Sequence, residues 1–260
     1  MSTIVLYALI VGIFLSVTAA LLGVTLVLKK YSMIGDGLSH VTFGAVAIAV
    51  ATKQAPLMFS LPIVILAAFL LLRISESGKV KGDAAIAVIS TASLAIGAIA
   101  ARGTNTDIEG FMFGSIVSIT KTDVIFTVIF TAIALGAYAF FYHRIFASTF
   151  DEAYAKATGA KPELINEMIA VMAAITVVLG MRLLGSLLIS ALIIFPALSS
   201  MRLFKSFRAV VISSAVISIV SFLIAIWISI LLDTSTSACI VLADLFIFML
   251  ASLVARFKKA

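Results

Sequence analysis

Residues 4–28 read Ile-Val-Leu-Tyr-Ala-Leu-Ile-Val-Gly-Ile-Phe-Leu-Ser-Val-Thr-Ala-Ala-Leu-Leu-Gly-Val-Thr-Leu-Val-Leu, and the run ends on Lys29-Lys30. It carries no charged side chain. A helix rises about 1.5 Å per residue, so a stretch of this length covers the roughly 30 Å hydrocarbon core of a bilayer. A cleavable signal has a basic start and a shorter apolar region. Met1 to Tyr7 contain no Lys or Arg, so the segment reads as a retained span.

The same pattern recurs down the chain. Apolar stretches fall at 31–51, 56–72, 84–101, 124–141, 164–181, 184–200, 210–232 and 237–255, which with the first makes nine candidate crossings. The seventh, Leu184–Ser200, is short and ends near Pro196, so eight full crossings plus one half-helix is the alternative. Hydrophobic residues make up 63% of the 260, with mean hydropathy +1.27 and only 12% charged. Soluble domains hold about 45–50% apolar residues, so lipid is the natural solvent here. The expected fold is an all-α, polytopic helical bundle with eight to nine membrane segments, forming one transmembrane domain over residues 1–260. Neither a repeat nor a soluble domain stands out.

Charge sets an orientation. With nine crossings, Lys53, Arg102, Lys121 and Arg182 fall on one side, and the other 14 of the 18 Lys and Arg fall opposite. The positive-inside rule then puts the C-terminus in the cytoplasm of a prokaryotic cell and the N-terminus outside. The net charge of +6 does not argue for nucleic acid, because the basic residues flank apolar runs instead of forming one patch.

Two connections stand out. Arg102–Thr122, on the outer side, contains the apolar Phe111–Val117, too short to span and suited to the interface. Tyr142–Glu163, on the inner side, reads as a short amphipathic helix from Phe150 to Thr158, stopped by Gly159 and Pro162. Asp151 and Glu152 fall at its N-terminal turn, where negative charge suits the helix dipole. Its position makes it a docking element for a cytoplasmic partner.

The polar residues inside apolar segments carry the chemistry. Asp36 and His40 lie four apart and share one helix face. Ionisable groups within a membrane cost several kcal/mol and mark pathways or paired sites. An imidazole nitrogen with a carboxylate oxygen suits zinc or manganese, and Ser39 and Thr42 bring further oxygens. The competing reading makes Asp36 a helix cap and His40 an interhelical hydrogen-bonding residue. One Asp and one His do not close a tetrahedral site, but a pathway must release its ion. Asp244 is a second intramembrane carboxylate: a third ligand, a proton site, or the partner of a Ser on another helix. Asp107, Glu109 and Asp233 fall on the outer side, and His143 beside Arg144 reads as interfacial. The seventh segment is lined by small residues, among them Gly185, Ser186, Ser190 and Ala191, which suit close helix packing. The single Cys239 excludes an internal disulfide and reads as a packed core residue. The sequence holds no phosphate-binding Gly-x-x-x-x-Gly-Lys-Ser/Thr loop, no Gly-x-Ser-x-Gly and no His-Glu-x-x-His.

Four stretches, in order, resemble the membrane subunits of the zinc/manganese/iron ABC importers. Lys29-Lys30-Tyr31-Ser32-Met33-Ile34-Gly35-Asp36-Gly37-Leu38-Ser39-His40 looks like the family's Gly-Asp-x-x-Ser-His signature. Phe113-Gly114-Ser115-Ile116 resembles its short external element, and Phe150 to Gly159 its coupling segment. Gly185 to Ala197 resembles its Gly-x-Leu-Leu-x-x-Ala-Leu-Leu-x-x-Pro-Ala run. The resemblance implies a type II importer-like fold and a pore built from two copies. It also implies a separate ATP-hydrolysing subunit and an extracytoplasmic metal-binding protein. Asp36 and His40 would contact the transported zinc or manganese. Beside the resemblance, the residues themselves suggest Ser39 and Asp244 as further groups along the pathway. Phe150, Asp151, Tyr154, Ala155 and Gly159 would couple to the ATPase. No permanently bound cofactor and no catalysis in this chain are expected; zinc is the first choice and manganese the next. A proton-coupled metal transporter and a non-transporting membrane scaffold are the rival functions.

Overall fold

The structure, a computed structural model, describes residues 3–76, 82–102 and 119–258. Among them lie eleven helices: α1 Thr3–Leu28, α2 Ile34–Ala51, α3 Pro56–Glu76, α4 Gly82–Ala101, α5 Lys121–Phe140, α6 Tyr142–Phe150, α7 Glu152–Ala157, α8 Pro162–Leu184, α9 Ser186–Leu203, α10 Phe207–Leu232 and α11 Thr236–Phe257. Eight of these are long and apolar enough to cross a membrane. The exception among the nine expected segments is the seventh, where the apolar stretch Leu188–Leu203 is shorter than the rest. Its helix nevertheless continues through Pro196 to Leu203, so the proline does not end it as the sequence reading had it. A proline inside a membrane bundle is tolerated because neighbouring groups satisfy the freed backbone.

Several helices begin earlier than hydropathy alone indicates, because capping residues extend them past the apolar run. At α5, the Thr120 hydroxyl accepts from the Asp123 amide at 3.3 Å and the Asp123 carboxylate accepts from the Thr120 amide at 2.9 Å. This reciprocal box starts the helix at Lys121, three residues before the apolar stretch. Ser206 caps α10 in the same way through the Ala209 amide.

The chain divides into two compact units. One contains α1, α5, α6, α7, α10, α11 and the part of α9 from Ala191. Here α1 is the central element, packed against α5 and α10, while α11 packs on α10. Val11, Leu15, Ala19 and Leu22 of α1 are fully buried, as a helix apolar on all sides requires. Hydroxyl groups join the helices at depth. Thr18 donates to Thr131 at 3.0 Å, Ser218 to the Ser16 carbonyl at 3.0 Å, and Thr25 bonds Tyr138 at 3.1 Å. Interhelical bonds of this kind contribute about 0.6–2 kcal/mol each in lipid.

The other unit contains α2, α3, α4, α8 and the start of α9, up to Ser190. α2 packs against α3 and α4. A methyl group added at Gly44 of α2 would lie 2.7 Å from the Ser93 carbonyl oxygen of α4, so only hydrogen fits there. Small residues let helix backbones approach closely where no hydrophobic effect drives them together. Between α8 and α9, Gly185 takes φ +91°, the left-handed conformation that glycine adopts without strain. That single residue separates helix α8, ending at Leu184, from α9, starting at Ser186.

Candidate functional site

The site is built on the first two turns of α2. The helix starts at Ile34, three residues later than the apolar stretch, so Asp36 stands in its first turn and His40 in its second. The residue at the N-cap is Met33, which makes no side-chain cap bond. Asp36 therefore does not cap the helix, although its charge suits the positive end of the dipole. Its carboxylate instead points at two polar groups. Oδ2 lies 3.5 Å from His40 Nε2, and Oδ1 accepts from the Ser190 hydroxyl of α9 at 3.5 Å. Both distances are at the long end for hydrogen bonds, so neither oxygen is tightly held.

Most of α2 is buried, including Gly35, Gly37, Leu38, Ser39, Val41 and Thr42. Asp36 and His40 interrupt this burial, with side chains 35% and 23% exposed. Carboxylate, imidazole and hydroxyl thus converge on an accessible spot within the largely buried first half of α2. Such a set offers two strong ligands and one weak one. Among the described residues no group of three or more His, Cys, Asp and Glu is placed to hold a metal ion.

The remaining sequence candidates fall elsewhere. Ser39 and Thr42 are buried, and their hydroxyls donate to the Asp36 and Leu38 carbonyls at 2.7 Å, so neither turns toward the pair. Asp244 of α11 is 1% exposed and accepts from the Ser221 hydroxyl of α10, the third of the alternatives for it. Cys239 is buried, in keeping with a core role. Asp233 ends α10 with φ +49°. Asp107, Glu109 and the external element at 111–117 lie outside the described residues. Ser190 is the residue whose place the sequence reading missed; it was noted only as one small residue among several suited to packing.

The stretch expected to form one helix from Phe150 to Thr158 is helical over α7, Glu152–Ala157, with Phe150 belonging to the helix before it. Phe150 ends α6, and Asp151 caps α7 by accepting from the Tyr154 amide at 2.9 Å. α7 closes with the Ala160 amide on the Ala155 carbonyl and the Gly159 amide on the Lys156 carbonyl, with Gly159 at φ +79°. This is the paired-bond end that a left-handed residue makes possible. Ala155 is fully buried, whereas Phe150 and Tyr154 are exposed. Phe150 and Phe146 both rest on the buried Phe207 of α10. Lys29, at the end of α1, forms a 3.0 Å ion pair with Glu152 in the first turn of α7.

A family model described as the ABC 3 transport family matches residues 1–255. The chain belongs to that family. Among its relatives is the manganese transport system membrane protein MntC of Halalkalibacterium halodurans, 26% identical over 247 residues, covering 94% of this chain and 85% of the relative. The high-affinity zinc uptake system membrane protein ZnuB of Haemophilus influenzae is 25% identical and covers 94% and 95%. Among solved structures, PsaBC from Streptococcus pneumoniae in complex with Fab is similar with a TM-score of 0.85 and 25% identity, over 96% of this chain and 91% of that one. As an ABC 3 family member this is a multi-pass, all-helical membrane protein, and the fold expected from the sequence is the fold observed.

Proposed function

We propose that this chain is the membrane permease subunit of an ATP-driven importer for a divalent transition metal, and that the ion passes over Asp36 and His40. One observation carries the site: a carboxylate and an imidazole 3.5 Å apart, left partly open on the buried first half of α2. Membership of the ABC 3 transport family and relatives named for manganese and zinc systems support the reading.

The ion is held by Asp36 and His40, with the Ser190 hydroxyl completing one side and water the rest. Zinc is the first choice because an imidazole ligand favours it, and manganese follows because carboxylate and water suit it. Access alternates between the two membrane faces, driven by a separate ATP-hydrolysing subunit docked on the exposed Phe150, Asp151, Tyr154 and Gly159, while the fully buried Ala155 packs α7 from beneath. A second copy of the chain completes the pore, and an extracytoplasmic binding protein delivers the metal. Ser39 and Asp244 serve packing in this scheme, since both are buried and bonded within their own surroundings.

Charge supports a full crossing by α9. If it did not cross, Arg202, Lys205, Arg208, Arg256, Lys258 and Lys259 would change sides, leaving eight basic residues against ten. A full crossing restores the strong asymmetry of a bacterial inner-membrane protein with an internal C-terminus.

The test is reconstitution with the ATPase and binding protein in liposomes, following zinc and manganese entry for wild type and His40→Ala. ATP-driven entry of one metal, lost in the variant, is the expected result. Entry unchanged without His40 would falsify the site.

A further inference from the structure

We infer that the groove where α5 gives way to α6 binds an anionic phospholipid of the membrane leaflet on the basic side of the molecule. The groove has a volume of about 450 Å³ and runs between α1, α5 and α10. It exists because the chain breaks helix at Phe141, ending the span, and restarts as α6, with Tyr142 set 5.6 Å from the Phe207 ring.

Its two ends differ in chemistry. Leu21, Leu135, Val211 and Ile212 form the apolar walls, and all four belong to membrane-length helices. Leu135 and Ile212 are exposed, so this wall faces whatever surrounds the bundle. At the other end stand Arg208 and His143, both exposed, at the first turns of α10 and α6. Arg208 is the second residue of its apolar helix, which puts its guanidinium at the depth of lipid headgroups rather than acyl chains. Among the described residues no Asp or Glu lines the groove. Arg144 adds positive charge beside it, its guanidinium 5.7 Å above the Phe141 ring.

An apolar groove ending in a guanidinium and an imidazole is complementary to an acyl chain ending in an anionic headgroup. Basic pockets between membrane helices on the cytoplasmic side recognise anionic headgroups in this way. A zwitterionic annular lipid presents the same phosphate, but its ammonium group offsets the attraction of Arg208, so a headgroup of net negative charge is preferred. The occupant also touches the segment leading to α7, so its presence bears on the α6–α7 connection.

The experiment uses the full-length chain purified in detergent and titrated with phosphatidylglycerol or phosphatidylcholine, with retained lipid read by native mass spectrometry. Wild type is expected to retain phosphatidylglycerol in preference. Arg208→Gln should lower that retention about fivefold, with a further loss on adding His143→Gln. Lys161→Gln, a basic residue away from the groove, should leave it unchanged. Ile212→Trp fills the apolar wall with the charges intact and should also reduce retention, which guards against a merely electrostatic effect of lost charge. Equal retention of the two lipids by wild type means annular lipid only and overturns the inference. So does unchanged phosphatidylglycerol retention in Arg208→Gln.

Discussion

Asp36 and Asp244 are both carboxylates within apolar helices, and the protein treats them in opposite ways. Asp36 is about a third exposed and its oxygens are loosely engaged, with His40 and Ser190 each 3.5 Å away. Asp244 is 1% exposed; Oδ1 is bonded by Ser221, and Oδ2 has no hydrogen-bond partner among the described residues. A half-open carboxylate with loosely held oxygens can exchange a hydroxyl or a water for a cation. One sealed between two helices has no such exchange open to it, and an unmet buried oxygen costs free energy. The two residues are equally conspicuous in the sequence. Their neighbours distinguish them: a histidine one turn away on the same face against a serine on the adjacent helix.

The largest change comes from removing the contact that holds the Asp36 helix. Gly44→Leu places a side chain where even a methyl group would lie 2.7 Å from the Ser93 carbonyl oxygen, and a methyl on Gly97 would lie 3.0 Å from the Gly44 Cα. Backbone cannot yield as a flexible side chain does, and overpacking costs about 1–3 kcal/mol or more. The variant should lose metal uptake altogether and elute poorly from size-exclusion chromatography. Wild-type uptake and elution would mean that α2 and α4 are not in this contact.

The comparison itself is tested by paired substitutions. Asp36→Asn keeps the shape and removes the charge, and should reduce ATP-driven uptake at least ~10-fold, the lower range seen when metal sites are disturbed. Its melting temperature should scarcely move, because Asp36 is partly exposed and weakly bonded. Asp244→Asn retains an acceptor for Ser221 and should leave uptake within a factor of about two, since less than ~0.5 kcal/mol is at stake when the bond persists. Equal losses in both variants would merge the two acids into one pathway.

A smaller effect is expected at the buried pair. Ser221→Ala leaves the Asp244 carboxylate without the one hydrogen bond described for it. Stranding a buried polar group costs about 1–3 kcal/mol, so thermal unfolding in detergent should shift down while uptake per folded molecule holds. Loss of uptake with an unchanged melting point would move Asp244 from packing to transport.

How far the sequence carried this depends on what each signal measures. Membrane segments were legible because a run such as 4–28 has no other stable solvent. Asp36 and His40 were legible because i, i+4 spacing puts them on one face whatever surrounds the helix. Ser190 was not, since it lies 154 residues from Asp36 and nothing local marks one serine of α9 above its neighbours. The fate of Ser39 was likewise hidden: its hydroxyl can face outward or bond its own helix, and only packing decides. Helix α6 went unseen for a related reason. The connection carries polar and aromatic residues without a span's hydropathy, and the partner that orders it, Phe207, is remote in sequence.

Ser190→Ala gives the finest test of what the half-open site is for. The hydroxyl is 3.5 Å from Asp36 Oδ1, at the edge of bonding distance, so the bond contributes little to the resting protein. Removing it should not alter the melting temperature measurably. If Ser190 completes the coordination of the passing ion, its loss weakens the weakest of three contacts, and the apparent affinity for metal should fall by a factor of about two to five, or under ~1 kcal/mol. The maximal rate should be unchanged or slightly raised, because an ion held less firmly leaves sooner. Ser190→Thr restores the hydroxyl and should return the affinity toward wild type. A fall in maximal rate with constant affinity would instead mean that Ser190 aligns α9 against α2 and never touches the ion.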